Sequence, residues 1–373
     1  MRFLHCSDLH LGKRLHDYDL LPDQVQVLGQ IGQIARDRDV QAVLIAGDIY
    51  DKPNPPAGAM EAFSDFIAGL SGAGIAVYLI SGNHDSAQRV AYCAGLLRHC
   101  GVYTSDRFDG RLQTFDCTDA YGKLQLHLLP FLKPVLVRRC WPEEEIQSYE
   151  DAVRVVLNHS PRDPEARQVL VCHQFISGAE SCESEQPAIG GLDQIPAEVF
   201  ADFDYVALGH LHGPQRVGRD TLRYSGSPLK YSFSEEHQTK SVAIVELGAK
   251  GEVSIDLEPL TQPHEMRQIR GSMAELMQQP YSEDYMRVIL TDEEVRPDAR
   301  VSLLTVFPNM MRFGVENSKT KLDLEVSGVQ NLERRTPLEL FADFYAYQNH
   351  QVAPDAARMQ VVAEILRELE GEG

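Results

Sequence analysis

Arg2-Phe3-Leu4-His5-Cys6-Ser7-Asp8-Leu9-His10 opens the chain with a short apolar run that stops on a serine, an aspartate and a histidine. A β-branched or apolar run of four to eight residues ended by polar residues reads as a buried strand. The construction recurs four times. Gln41–Ala46 runs into Gly47-Asp48-Ile49-Tyr50-Asp51, Ala76–Ile80 into Gly82-Asn83-His84-Asp85, Val169–Cys172 into His173, and Tyr205–Leu208 into Gly209-His210-Leu211-His212. Further strands are expected at Leu124–Leu129, Leu222–Ser225, Val242–Leu247 and Val253–Leu257. Helical patterns lie between them at Pro22–Arg36, Ala57–Leu70, Ala87–Leu97 and Glu143–Asn158. Strand and helix alternating at this spacing predict an α/β fold with both sheet faces covered by helices. Ligands of such sheets bind beyond the carboxyl ends of the strands, so the five polar clusters are expected on one rim.

The side chains in those clusters are aspartate, histidine and asparagine, with no cysteine among them. That set suits manganese, iron or zinc better than a thiolate-bound ion. Gly47, Gly82 and Gly209 permit tight turns and a close approach of the backbone. Asp85 stands at a strand-to-helix turn, where capping the next helix is the commoner fate of an aspartate. His5, His16, His99, His127, His159, His237, His264 and His350 read as structural or surface residues, and Cys6 and Cys172 as small buried hydrophobes.

The order D-x-H, G-D, G-N-H-D, an isolated histidine after a strand, then G-H-x-H resembles the calcineurin-like binuclear metallophosphoesterases over roughly residues 1–230. Within that superfamily Arg2–Gly12, Ala46–Pro56 and Tyr224–Phe233, with Gly226-Ser227-Pro228, are similar to the SbcD nuclease subunits of bacterial SbcCD complexes. The resemblance implies a two-sheet α/β metallophosphoesterase sandwich flanked by helices, with a small α+β capping domain and a C-terminal helical tail. It implies that Asp8, His10, Asp48 and His212 bind one divalent metal and that Asp48, Asn83, His173 and His210 bind a second, Asp48 bridging. A carboxylate has two oxygens and can serve both ions, whereas an imidazole offers one free nitrogen. His84 is implied as the catalytic residue that stabilises transition-state charge or protonates the leaving oxygen. Manganese is the expected ion. Some members of the superfamily carry a histidine three residues after the bridging aspartate; this chain has Asp51 there, so no role for that histidine carries over.

The implied activity is metal-dependent DNA cleavage, as exonuclease and as hairpin or single-strand endonuclease, within an SbcCD-type DNA repair complex. The alternatives are a small-molecule phosphodiesterase or phosphatase on the same site, and a non-catalytic scaffold subunit. An intact ligand set argues against a scaffold, and the accessory regions against a small-molecule enzyme. Charge raises a difficulty, because 35 basic and 55 acidic residues leave a net charge of −20. Such a field repels polyanions, so DNA would have to be held by bound cations or by a basic partner.

The 373 residues suffice for two or three domains. The expected division is a phosphoesterase domain at 1–262, an α+β DNA-binding cap at 263–330 and a helical tail at 331–373. Thr336-Pro337-Leu338-Glu339 reads as a capping-box start, and Pro354 opens a second helix carrying Met359, Val362, Leu366 and Leu369. The resemblance implies that these helices form a helix-loop-helix docking on an SbcC-like ATPase. Met60, Phe63, Phe66, Ile67, Val90, Leu96 and Leu97 put much apolar surface on two helices, and the family pairs such helices in a homodimer. No apolar run approaches the roughly 18 residues that span a bilayer, and no C-x-x-C pair appears among the seven cysteines, so a cytoplasmic chain with reduced thiols is expected.

Overall fold

The computed structural model describes residues 1–105, 108–185, 194–318, 337–348, 353–355 and 358–363. Met1–Gln186 with Asp193–Val315 forms one compact unit, and Pro187–Leu192 with Glu316–Gly373 belongs to a second.

Two six-stranded sheets organise the first unit. In one, Arg2–Cys6 pairs in parallel with Ala42–Ile45 and antiparallel with Ser241–Leu247; Ala42–Ile45 continues through Ala76–Leu79 to Val102–Thr104. In the other, Arg167–His173 lies between Gly122–Leu129 and Tyr205–Gly209, parallel to both, and Tyr205–Gly209 pairs with Arg219–Tyr224. The central strands are buried along their whole length, which is why they read as unbroken apolar runs rather than alternating ones.

Phe3, Leu44, Tyr78, Leu126, Val171 and Tyr205 belong to the cluster shared by the two sheets. The helices Leu21–Asp37 and Ala57–Gly72 cover the outer face of the first sheet through Leu28, Ile31, Phe63 and Phe66. Tyr149–Asn158 covers the second through Val153 and Val156. This is a two-sheet sandwich flanked by helices.

Two helices differ from expectation. Ala87–Leu97 is broken into the turns Ala87–Val90 and Ala94–Leu97, because Cys93 takes a left-handed φ of 61°. The helix expected from Glu143 begins at Tyr149, where Ser148 and Asp151 form a capping box. Unexpected elements include the strand Val102–Thr104, the edge strand Gln113–Asp119 and the short helix Pro134–Cys140.

Met266–Gly271, Tyr285–Leu290 and Met310–Val315 form a small parallel sheet with the helices Met273–Leu276 and Ala299–Leu303. Its own core holds Met286, Val288, Leu303 and Phe307. Met266, Tyr285 and Met311 also join the cluster under the helix Leu21–Asp37, and His264 Nδ1 lies 2.9 Å from Asp23 Oδ2.

In the second unit Pro337–Gln348 is helical and residues 358–363 are helical again. The Arg358 guanidinium lies 5.7 Å from the Tyr345 ring centroid, joining the two segments. Thr336, Leu366 and Leu369 lie outside the described residues. Among the described residues no helix is long and apolar enough to cross a membrane.

Candidate metal centre

The strand ends at Cys6, Ile45, Leu79, His173 and Gly209 converge because their strands run parallel in two facing sheets. Beyond those ends the backbone turns abruptly. Asp8, His10, Asp48 and His210 all have left-handed φ, at 52°, 44°, 48° and 108°. For non-glycine residues such conformations cost of order 1–3 kcal/mol each and persist where the surroundings over-determine them. Here they turn the side chains inward. Two glycines make room: a Cβ on Gly82 would overlap the Asp48 carboxylate, and one on Gly209 the Ala46 carbonyl oxygen.

The expected ligand residues lie together. Asp8, His10 and His212 offer ligand atoms all within 4.8 Å of one another, as do Asp8, Asp48 and His173. His10, Asp48 and His84 form a third such group, so His84 is also within reach of an ion. Asp48 Oδ2 stands 3.3 Å from His173 Nε2 and 3.7 Å from His10 Nε2, facing both sides. Asn83 Oδ1 lies 2.9 Å from His173 Nε2 and 3.0 Å from His210 Nδ1. Asp8, His10, Asp48, His173 and His212 are buried, His210 is half-buried and Asn83 is exposed.

The donor set fits a pair of cations. His173 Nδ1 donates to the Ala46 carbonyl at 2.8 Å, so Nε2 is the nitrogen turned to Asn83 Oδ1 and Asp48 Oδ2, two acceptors that call for a positive charge between them, a proton or a cation. His10 Nε2 and His212 Nε2 face one another at 3.1 Å, and His10 Nδ1 is buried without a hydrogen-bond partner. A buried imidazole nitrogen without a partner, as at His10 Nδ1, is expensive unless something polar reaches it.

The electrostatics agree. Burial opposes charge on His173, yet Asp48 beside it pulls that imidazole up to about 9. Burial also opposes charge on Asp48, but His173, His10 and His84 hold its carboxyl far below the usual range. Burial pushes Asp8 up to about 6 and presses His210 down to about 3.

Asp85 does not cap the following helix. Its carboxylate accepts from the backbone N–H groups of Ile49 at 3.0 Å, Tyr50 at 2.9 Å and Gly82 at 2.9 Å, tying the loop after Asp48 to the loop carrying Asn83. The helix begins instead at Ser86, which makes no side-chain cap. Asp51 accepts from Lys13 Nζ at 2.7 Å and lies 3.7 Å from His10 Nδ1, while its carbonyl accepts from His84 Nδ1 at 3.1 Å.

Sequence reasoning did not find Ser184, Glu235 and Lys240, which stand behind His212. The only signal was indirect: Glu235 and Lys240 follow the Tyr224–Phe233 stretch already singled out. His5 and His127 are structural, as expected. His5 bonds Tyr205 and the Leu208 carbonyl, and His127 bonds Thr114 and Gln168. Cys6 and Cys172 are buried, and burial pushes the Cys6 thiol up to about 12.

Comparison with known proteins gives this geometry a family. Residues 1–214 match the calcineurin-like phosphoesterase model. Residues 262–349 match the SbcD_C model, described as a type 5 capsule protein repressor C-terminal domain. The SbcD subunit of the SbcCD nuclease of Staphylococcus epidermidis is 29% identical over 319 residues, covering 83% of this chain and 84% of that protein. A dimetal phosphatase from Danio rerio aligns over 70% of this chain and 97% of its own, at 12% identity and a TM-score of 0.41. A Thermus thermophilus protein aligns over 69% and 98%, at 13% identity and a TM-score of 0.38. With more than half its length matched by the first of these models, and with its likeness to SbcD running through both regions, the chain belongs to the calcineurin-like phosphoesterase family.

Proposed function

We propose that this chain is the nuclease subunit of an SbcCD-type DNA repair complex, cutting phosphodiester bonds as an exonuclease and as a hairpin or single-strand endonuclease. The observation that carries the reading is the gathering of Asp8, His10, Asn83, His173, His210 and His212 about Asp48, whose Oδ2 faces both sides while Oδ1 accepts the His84 N–H. Asp8, His10, Asp48 and His212 would hold one ion and Asp48, Asn83, His173 and His210 the other, with manganese the preferred metal. Such a pair, when bound, supplies Lewis acidity to the phosphate and lowers the pKa of the attacking water.

The chain's own residues do the rest. Asn83 is exposed beside the half-buried His210, on the side from which a phosphodiester arrives. His84 donates Nδ1–H to the Asp51 carbonyl and its own backbone N–H to Asp48 Oδ1 at 2.9 Å, so its ring is held by Asp51 and its main chain by the bridging residue, leaving Nε2 for the substrate. Protonated there, it neutralises charge in the transition state or delivers a proton to the leaving oxygen. Partner binding is part of the proposal: the C-terminal helices dock on an SbcC-like ATPase, which supplies the basic surface that a chain of net charge −20 lacks. A homodimer formed through Ala57–Gly72 and the turns after it is likewise proposed. Met60, Tyr92 and Leu96, at 45%, 76% and 70% exposure, leave apolar surface for it.

A substrate panel with manganese tests the activity: linear duplex DNA, single-stranded DNA, a hairpin, a cyclic nucleotide and a chromogenic phosphodiester. Cleavage of the DNA substrates is expected. Turnover confined to the cyclic nucleotide or the chromogenic ester would replace this reading with a small-molecule phosphodiesterase.

A further inference from the structure

Behind His212, on the side away from His10, four polar side chains form a closed chain of hydrogen bonds that the catalytic reading leaves unused. Lys240 and Glu235 make an ion pair at 2.6 Å with both side chains fully buried. Lys240 Nζ also donates to the His212 carbonyl at 2.8 Å and to Ser227 Oγ at 3.0 Å. The other oxygen of Glu235 accepts from Ser184 Oγ at 2.6 Å, and Ser184 Oγ lies 2.7 Å from His212 Nδ1. On the same loop Glu185 accepts the His212 backbone N–H. The His212 main chain and ring are thus gripped from two segments far apart in sequence.

We propose that Glu235, locked by Lys240, is a positioning residue that acts through Ser184 to fix the tautomer and orientation of His212. The reasoning is a proton count. An ionised carboxylate only accepts, so the single hydroxyl proton of Ser184 goes to Glu235. The Ser184 oxygen then only accepts, from the Cys182 thiol at 3.1 Å and from His212, so His212 Nδ1 carries a proton. Nε2 is therefore the bare nitrogen, turned toward His10 at 3.1 Å and toward the metal centre. Outer partners of this kind hold a ligating imidazole in one tautomer and raise its basicity, and their removal costs about 10–100-fold in metal affinity. A buried ion pair contributes little net stability of its own. Its place behind His212 is accounted for by the histidine it orients.

The proposal rests on His212 being a metal ligand, and the test separates the two ideas. Full-length protein is titrated calorimetrically with manganese alone, and the His212 ring of the metal-free protein is observed by long-range ¹H–¹⁵N correlation. In the wild type we expect two ions per chain and a bare Nε2. Ser184→Ala, at a partly exposed loop position that spares the fold, should weaken one of the two ions about 10–100-fold and shift His212 toward the other tautomer. Ser184→Thr, which keeps the hydroxyl, should restore both. Two ions of wild-type affinity in Ser184→Ala, with an unchanged tautomer, would overturn the relay. Wild-type protein that takes up no second ion would instead overturn the dinuclear reading, and the tautomer measurement would still decide on the relay.

Discussion

Asp85 and His84 are adjacent and do different work. The Asp85 carboxylate holds three backbone N–H groups, and removing it leaves those donors without their acceptor in a crowded turn. Asp85→Ala should cost about 1–3 kcal/mol of stability and loosen the Asp48 loop, whereas Asp85→Asn, which keeps one acceptor oxygen, should cost less. Denaturant unfolding of the two variants checks the order. His84→Ala is expected to keep metal and DNA affinity and slow turnover about 10²–10⁴-fold. Because His84 also lies within reach of an ion with His10 and Asp48, a collapse of metal content in that variant would make it a ligand. Buried histidines set an acid limit. Burial presses His5 down to about 3 and His127 to about 4, so the folded chain refuses protons that the unfolded chain takes up below about 6.5. Their contribution is fully present above pH 6.5 and is lost as pH falls, by up to about 1.4 kcal/mol per pH unit for each ring. Unfolding at pH 7.5, 6 and 5 should therefore show a flatter pH profile for His127→Gln than for the wild type.

Among the elements, the central strands were legible because burial on both faces leaves them as short apolar runs, and Arg2–Cys6 ends where the pattern ends. The strand-end residues were legible for a related reason, since parallel strands deliver their carboxyl ends to one rim. Ala87–Leu97 was not, because the residue that breaks it, Cys93, carries no local signal for a left-handed φ. Asp85 deceived in another way: a helix does follow it, but the backbone donors after Asp48 lie closer to hand. The Ser184–Glu235–Lys240 chain joins segments about fifty residues apart, a separation that no local pattern records. Close approach makes its own prediction at this scale. A methyl group on Gly209 would collide with the Ala46 carbonyl, which also receives His173 Nδ1. Gly209→Ala should therefore disturb two clusters at once and lower metal affinity beyond what loss of one ligand does, as titration with manganese would show.

For the whole molecule, the charge of −20 and the inward-facing site have to be reconciled with a polyanionic substrate. In the proposed account cations at the rim neutralise the phosphate locally and a partner holds the rest of the DNA. Removing residues 336–373 should then abolish co-purification with the ATPase and ATP-dependent duplex cutting, while manganese-dependent cutting of single-stranded DNA persists. Retained partner binding would place the docking surface elsewhere. The centre on which all of this depends is the carboxylate of Asp48, which faces both halves of the site. Its test is a manganese titration of wild-type and Asp48→Ala protein, run beside a DNA cleavage assay and circular dichroism. The account predicts two ions per wild-type chain, metal binding near zero and no manganese-dependent cleavage in the variant, and an unchanged fold; near-normal cutting or undiminished binding by Asp48→Ala would contradict it.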